Sequence, residues 1–203
     1  MCFTTSSARC SLKRRTRTHS RHCFDMQQKT DLGKYLNTAR NADYVVGIDP
    51  DCEKSGFALI DKRNGKMTLA SYAFVELIRQ LKELRDGFAG IRPWVVVVEA
   101  GYLETKTQHH YFGDNPRIAA RVGQKVGRNH ETARKLVEVC RALEIPVEER
   151  APLRKIWKGR DGKITAEEFN ALTGYTKRTS QDVRDAALLA WVSAGYRTDI
   201  KRR

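Results

Sequence analysis

Apolar and polar positions along the chain follow two periods. From Tyr44 the run Tyr44-Val45-Val46-Gly47-Ile48 is rich in β-favouring residues and closes on Asp49-Pro50. Proline cannot donate to a sheet ladder, so Asp49 is read as the last side chain of a core strand. A polar turn over 51–55 leads to Gly56-Phe57-Ala58-Leu59-Ile60-Asp61, and Asn64-Gly65 separates that run from Met67–Ala73. Asn-Gly between apolar runs signals a hairpin, which predicts three consecutive strands in an antiparallel meander. Phe74, Leu77, Ile78, Leu81 and Leu84 then recur at helical spacing, with Gly87 and Gly90 as the stop. Trp94-Val95-Val96-Val97-Val98 is a continuous apolar run of the kind that fills the middle of a sheet, and it too ends in an acid, Glu99.

The second half alternates less regularly. Between Gly101 and Lys125 the residues are polar and aromatic without a clear period, which predicts a long loop or arm beside Glu99. Ala133, Leu136, Val137, Cys140 and Leu143 mark a helix whose other face carries Arg128, Arg134, Lys135 and Arg141. Ile145–Glu149 reads as a short strand. A cationic stretch, 151–164, surrounds Trp157 and leads to Thr165-Ala-Glu-Glu168, a capping box that opens a short helix ended by Gly174. The last helix spans Ser180 to Gly195. The order β-β-β-α-β-α-β-α predicts an α/β domain: a mixed five-stranded sheet, its first three strands antiparallel, with helices packed on it.

Composition changes this picture at the amino terminus. In residues 1–40 nine cations face only Asp25 and Asp31, which is half of the chain's net charge of +14. No apolar period accompanies them, so 1–40 is expected to be a basic, disordered arm ahead of a single domain, 41–203. No run approaches a membrane span, and a cationic surface attracts polyanions, nucleic acid first and anionic lipid second. Five scattered cysteines suggest a reducing compartment and no disulfides. Cys10, His19, His22 and Cys23 have no common zinc-finger spacing. The Arg- and Ser-rich start loosely matches a mitochondrial transit peptide, a reading that ranks behind a cytoplasmic location.

Two strands that end in acids raise the question of what meets those charges. Asp182 and Asp185 lie three apart near the start of the last helix, on one face. Strand ends and a helix start meet at one edge of such a sheet, so Asp49, Glu99, Asp182 and Asp185 are candidates for one site. Four carboxylates share a site only if cations offset their repulsion. Hard oxygen ligands select Mg²⁺ or Mn²⁺, and two such ions would clamp the attacking water and the leaving oxygen of a phosphodiester. Two of the acids have a plainer reading. Asp49 suits a turn before proline, and Asp182 has capping-box spacing with Thr179. Glu99, after four valines, is harder to explain that way.

Gly47-Ile48-Asp49-Pro50, Gly56-Phe57-Ala58, Val95–Glu99 and Asp182-Val-Arg-Asp185-Ala186-Ala187 resemble, in order, the motifs of the RuvC-type Holliday junction resolvases, within the ribonuclease H-like superfamily. The resemblance runs from about Tyr44 to Gly195. It implies a ribonuclease H-like sheet, two divalent ions held by the catalytic acids Asp49, Glu99, Asp182 and Asp185, cleavage of four-way DNA junctions, and a homodimer. It implies a stacking role for Tyr102, three positions after the second acid, and DNA backbone contacts for Lys125, Arg128, Lys155, Lys158 and Lys177. A bacterial or phage-encoded cytoplasmic protein would fit. At Asp51 the chain departs from the glycine usual in the family. Tyr102 also reads as a half-buried loop aromatic, and Trp157 and Trp191 as core residues. Two other functions suit the charge and the acids: a nuclease acting on RNA or RNA–DNA hybrid, and an inactive nucleic-acid-binding protein.

Overall fold

A computed structural model of the chain describes residues 38–89, 92–104 and 116–198. Five strands, β1 (Tyr44–Asp49), β2 (Ser55–Asp61), β3 (Lys66–Tyr72), β4 (Trp94–Glu99) and β5 (Val147–Arg150), form one sheet in the order β3-β2-β1-β4-β5. β1, β2 and β3 pair antiparallel, as the Asn64-Gly65 turn requires, while β4 lies parallel to β1 and β5 parallel to β4. This is the mixed five-stranded sheet, its first three strands antiparallel, that the sequence predicts. The helices are α1 (Thr38–Asn41), α2 (Phe74–Phe88), α3 (Pro116–Ala142), α4 (Ala166–Thr173) and α5 (Gln181–Ser193).

Side chains of a strand alternate between faces, and this divides the core in two. Val45, Val95 and Val97 face Ala186, Ala187, Leu189 and Ala190 of α5, with Phe169 of α4 and Ala39 of α1 in the same cluster. Val46, Ile48, Val96 and Val98 face Leu77 and Leu81 of α2 and Ala133, Leu136, Val137 and Cys140 of α3. The central strands are covered on both sides, which is why they read as unbroken apolar runs.

Glycine brings α5 close. A Cβ at Gly47 would stand 2.2 Å from the Ala186 carbonyl oxygen, and one at Gly56 2.1 Å from that of Asp182. Both contacts are with helix backbone, so only glycine admits this approach.

Four expectations need adjusting. Residues 116–125, read as loop, are the first turns of α3. Their burial-free positions carry no strong period to read. α2 continues through Gly87 to Phe88. The last strand begins at Val147 rather than Ile145, whose side chain is already in the core. Ala39 is buried and its backbone N–H donates to Glu148 Oε1 at 2.9 Å, so the folded region starts ahead of residue 41. Residues 1–37, with three of the cysteines and the Cys/His cluster, lie outside the described residues, as do Gly90 and the histidines of 105–115. Cys52 and Cys140 are free thiols, and burial pushes that of Cys140 up to about 12. No helix among the described residues is long and apolar enough to cross a membrane.

Candidate active site

Strand alternation decides where the acids point. Asp49 shares a face with Val45, and Glu99 with Val95 and Val97, so both project towards α5. Ile48 pairs with Val98 in parallel register, which leaves Asp49 and Glu99 side by side one residue further along neighbouring strands. Asp185 approaches from α5. Asp49, Glu99 and Asp185 line one cleft of about 180 Å³, together with Glu104, Lys155, Trp157 and Lys163.

The charges in this cleft are not equivalent. Burial, then the neighbouring Glu99 and Asp185 carboxylates, push Asp49 well above the usual carboxylate range. Burial, followed by Asp185, pushes Glu99 up to about 7, against the pull of Lys163 and Lys155. Among the described residues no side chain or backbone group hydrogen-bonds either carboxylate. Asp185 is different, since Lys163 Nζ donates to Oδ2 at 2.7 Å and Gln181 Nε2 to Oδ1 at 2.7 Å. Burial alone would lower the Lys163 pKa, but the hydrogen bond and charge of Asp185 outweigh it and raise it.

Local structure holds these donors. Arg184 Nη2 donates to Gln181 Oε1 at 2.7 Å, Nη1 to the Thr179 carbonyl at 2.7 Å, and Nε to the Ile164 carbonyl at 3.3 Å. One guanidinium therefore joins the start of α5 to the loop that presents Lys163. The cap of α5 is Ser180, whose Oγ accepts from the Val183 N–H, so Thr179 does not form the expected box with Asp182. Asp182 is exposed, is not among the residues that line the cleft, and acts on Asp49 through charge, more weakly than Glu99 and Asp185 do. The sequence predicts one site for four acids; in the structure Asp49, Glu99 and Asp185 line the cleft and Asp182 does not.

Lys163 was missed as a site residue. It stands among five cations between 151 and 164, and its one distinguishing signal is that it directly precedes the buried Ile164 and the Thr165 cap.

The basic residues separate by position. Lys155 lines the cleft. Lys125 and Arg128 are exposed on α3, with Lys125 Nζ 3.8 Å from Asp51 Oδ2. Lys158 is exposed, its backbone N–H donating to Glu168, and Lys177 is exposed between α4 and α5. Tyr102 does not project as a wedge. Its hydroxyl donates to Glu149 Oε2, the Arg134 guanidinium lies 4.5 Å from its ring centroid, and it packs against the core. Trp157 and Trp191 pack as partly buried residues on the α5 side of the sheet.

The donor set suits a hard divalent cation, because Asp49 and Glu99 are crowded, largely buried carboxylates with no donor among the described residues. Asp185 fits less directly, both its oxygens being engaged. Among the described residues no three His, Cys, Asp or Glu side chains are drawn into a ready-made metal cage.

No protein-family model matches the chain, and no curated protein sequence does. Among solved structures, Thermus thermophilus RuvC in complex with a Holliday junction substrate is 17% identical with a TM-score of 0.42, over 72% of this chain and 89% of that one. A second Thermus thermophilus RuvC structure is 17% identical with a TM-score of 0.40, over 75% of this chain and 96% of that one.

Proposed function

We propose that the chain is a divalent-metal-dependent nuclease that hydrolyses phosphodiester bonds in nucleic acid, with branched DNA as its substrate and a homodimer as its working form. The observation that carries this is the pair Asp49 and Glu99: two neighbouring carboxylates at strand ends, crowded by Asp185 and without a donor among the described residues. Such a pair is costly unless a cation joins it. Asp49 and Glu99 would hold Mg²⁺ or Mn²⁺. A bound ion would acidify water and stabilise charge on the phosphate.

The chain's own residues supply the rest. Asp185, fixed by Lys163 and Gln181, bounds the opposite wall of the cleft. A second ion at Asp185 would have to take the place of the Lys163 ammonium, so Lys163 itself provides positive charge beside the scissile group. Lys155 and Arg154 line the same cleft and can hold flanking phosphates. The choice of branched DNA rests on the ordered motifs from Gly47 to Ala187, and Tyr102 enters it only if its contact with Glu149 opens.

The test is cleavage of a labelled four-way junction, a duplex and an RNA–DNA hybrid with Mg²⁺ or Mn²⁺. Junction cutting is expected, with loss to background in Asp49→Asn and in Glu99→Gln. Cutting that survives in both variants rejects the site, while preference for the hybrid moves the substrate to RNA. Binding without any cutting would leave the inactive-scaffold reading.

A further inference from the structure

The acids of the cleft are not equally open to a ligand. Asp49 and Glu99 have no hydrogen-bond donor among the described residues, whereas each oxygen of Asp185 has one. The Lys163 ammonium donates to Oδ2 at 2.7 Å and the Gln181 carboxamide to Oδ1 at 2.7 Å.

Both donors are held from behind. Lys163 sits on a loop closed by its own backbone, where the Trp157 N–H donates to the Gly162 carbonyl at 3.0 Å and the Gly159 N–H to the Lys163 carbonyl at 2.9 Å. The next residue, Ile164, is buried, and its carbonyl accepts from Arg184 Nε at 3.3 Å. The same guanidinium fixes Gln181. Its Oε1 accepts from Arg184 Nη2 at 2.7 Å, so a flipped carboxamide would set N–H against N–H, and Nε2 must face Asp185.

A divalent ion on Asp185 would have to enter against both donors. An ammonium in contact with one oxygen repels a further cation there, and an amide N–H aimed at the other oxygen presents the positive end of its dipole. Charge balance points the same way. One divalent ion offsets Asp49 and Glu99, the ammonium offsets Asp185, and Glu104 lines the cleft together with Arg154 and Lys155. Asp182 does not line it.

We propose that the cleft is built for one divalent cation, held by Asp49 and Glu99, and that Lys163 stands in for the second ion that the resemblance implies. Gln181 and Arg184 are positioning residues: they keep Asp185 turned to Lys163 and withheld from metal. This deepens the nuclease reading and rests on it for the ion that Asp49 and Glu99 take.

Mn²⁺ is titrated into the metal-free chain, and bound ions are counted from the loss of the free-ion electron paramagnetic resonance signal. Two ions in one cleft also broaden the bound spectrum by spin–spin coupling. Wild type is compared with Lys163→Met, which keeps the length and deletes the charge, with Arg184→Met, with Lys163→Arg, and with Lys82→Met, which removes an exposed cation from α2. Wild type, Lys163→Arg and Lys82→Met should each bind one ion per chain without coupling. Lys163→Met and Arg184→Met should each bind two, coupled. Should circular dichroism show Arg184→Met unfolded, Lys163→Met decides, because that side chain is partly exposed. Two ions in wild type, one in Lys163→Met, or a second ion gained in Lys82→Met overturns the one-ion cleft. One ion in a folded Arg184→Met removes Arg184 from the positioning role. Two ions in wild type together with junction cutting reject this inference and keep the nuclease, whereas no ion in wild type rejects both.

Discussion

Asp185 and Glu99 face each other across the cleft with opposite degrees of satisfaction. Both oxygens of Asp185 accept from protein donors, whereas Glu99 has none among the described residues and is pushed up to about 7 by burial and Asp185. The consequence for stability has a definite sign. Between its ordinary 4.5 and about 7, Glu99 holds a proton in the native chain that the unfolded chain has already released. Stability therefore falls as pH rises through that window. Asp49, raised by burial and by the same neighbours, acts in the same direction. Glu99→Gln, which keeps the shape and deletes the charge, should remove a penalty on the order of 2 kcal/mol at neutral pH in metal-free buffer. Urea melts at pH 5 and pH 8 read this directly: the variant should gain on wild type at pH 8 and match it at pH 5. A variant that loses stability at pH 8 would show that Glu99 is already paired.

At the scale of elements, the site depends on how closely α5 lies on β1 and β2. Gly47→Ala and Gly56→Ala would each drive a methyl into helix backbone, at 2.2 Å and 2.1 Å. Overpacking of this kind costs about 1–3 kcal/mol and more where backbone must shift. Both variants should lower the melting temperature, and, on the proposed nuclease reading, any folded fraction should cut more slowly because Asp185 moves away from Asp49. Retention of wild-type stability in either one would mean that α5 is not seated as described. Much of this layer was legible. The strands ending at Asp49 and Glu99, the Thr165 cap and the Gly174 stop follow from local chemistry, and each lies where the residues imply. The first half of α3 was not, because it buries nothing and so leaves no apolar period strong enough to outweigh Gly123 and Gly127. Lys163 was hidden for the opposite reason. Its partner is 22 positions away, and pairing across a loop and a helix leaves no trace in spacing.

On the scale of the whole molecule, a net charge of +14 suits the proposed nuclease reading, in which a cationic surface would draw in a polyanion that the acid cleft alone would repel. The backbone contacts that the resemblance implies, Lys125, Arg128, Lys155, Lys158 and Lys177, are all exposed, whereas further along α3 Lys135 and Arg141 are paired with acids and Arg134 lies over Tyr102. α3 also has a thermodynamic consequence. Its last turns are locked into the core, while the turns from Pro116 to Arg128 rely on helix propensity and include two glycines. Amide protons of 117–128 should exchange with solvent orders of magnitude faster than those of 133–142. Mass-spectrometric hydrogen exchange resolves the two halves, and uniform protection along the helix would refute the division. α3 is one helix in geometry and should be two in stability, with the boundary where Asn129 bonds Asp51 and the Cys52 N–H.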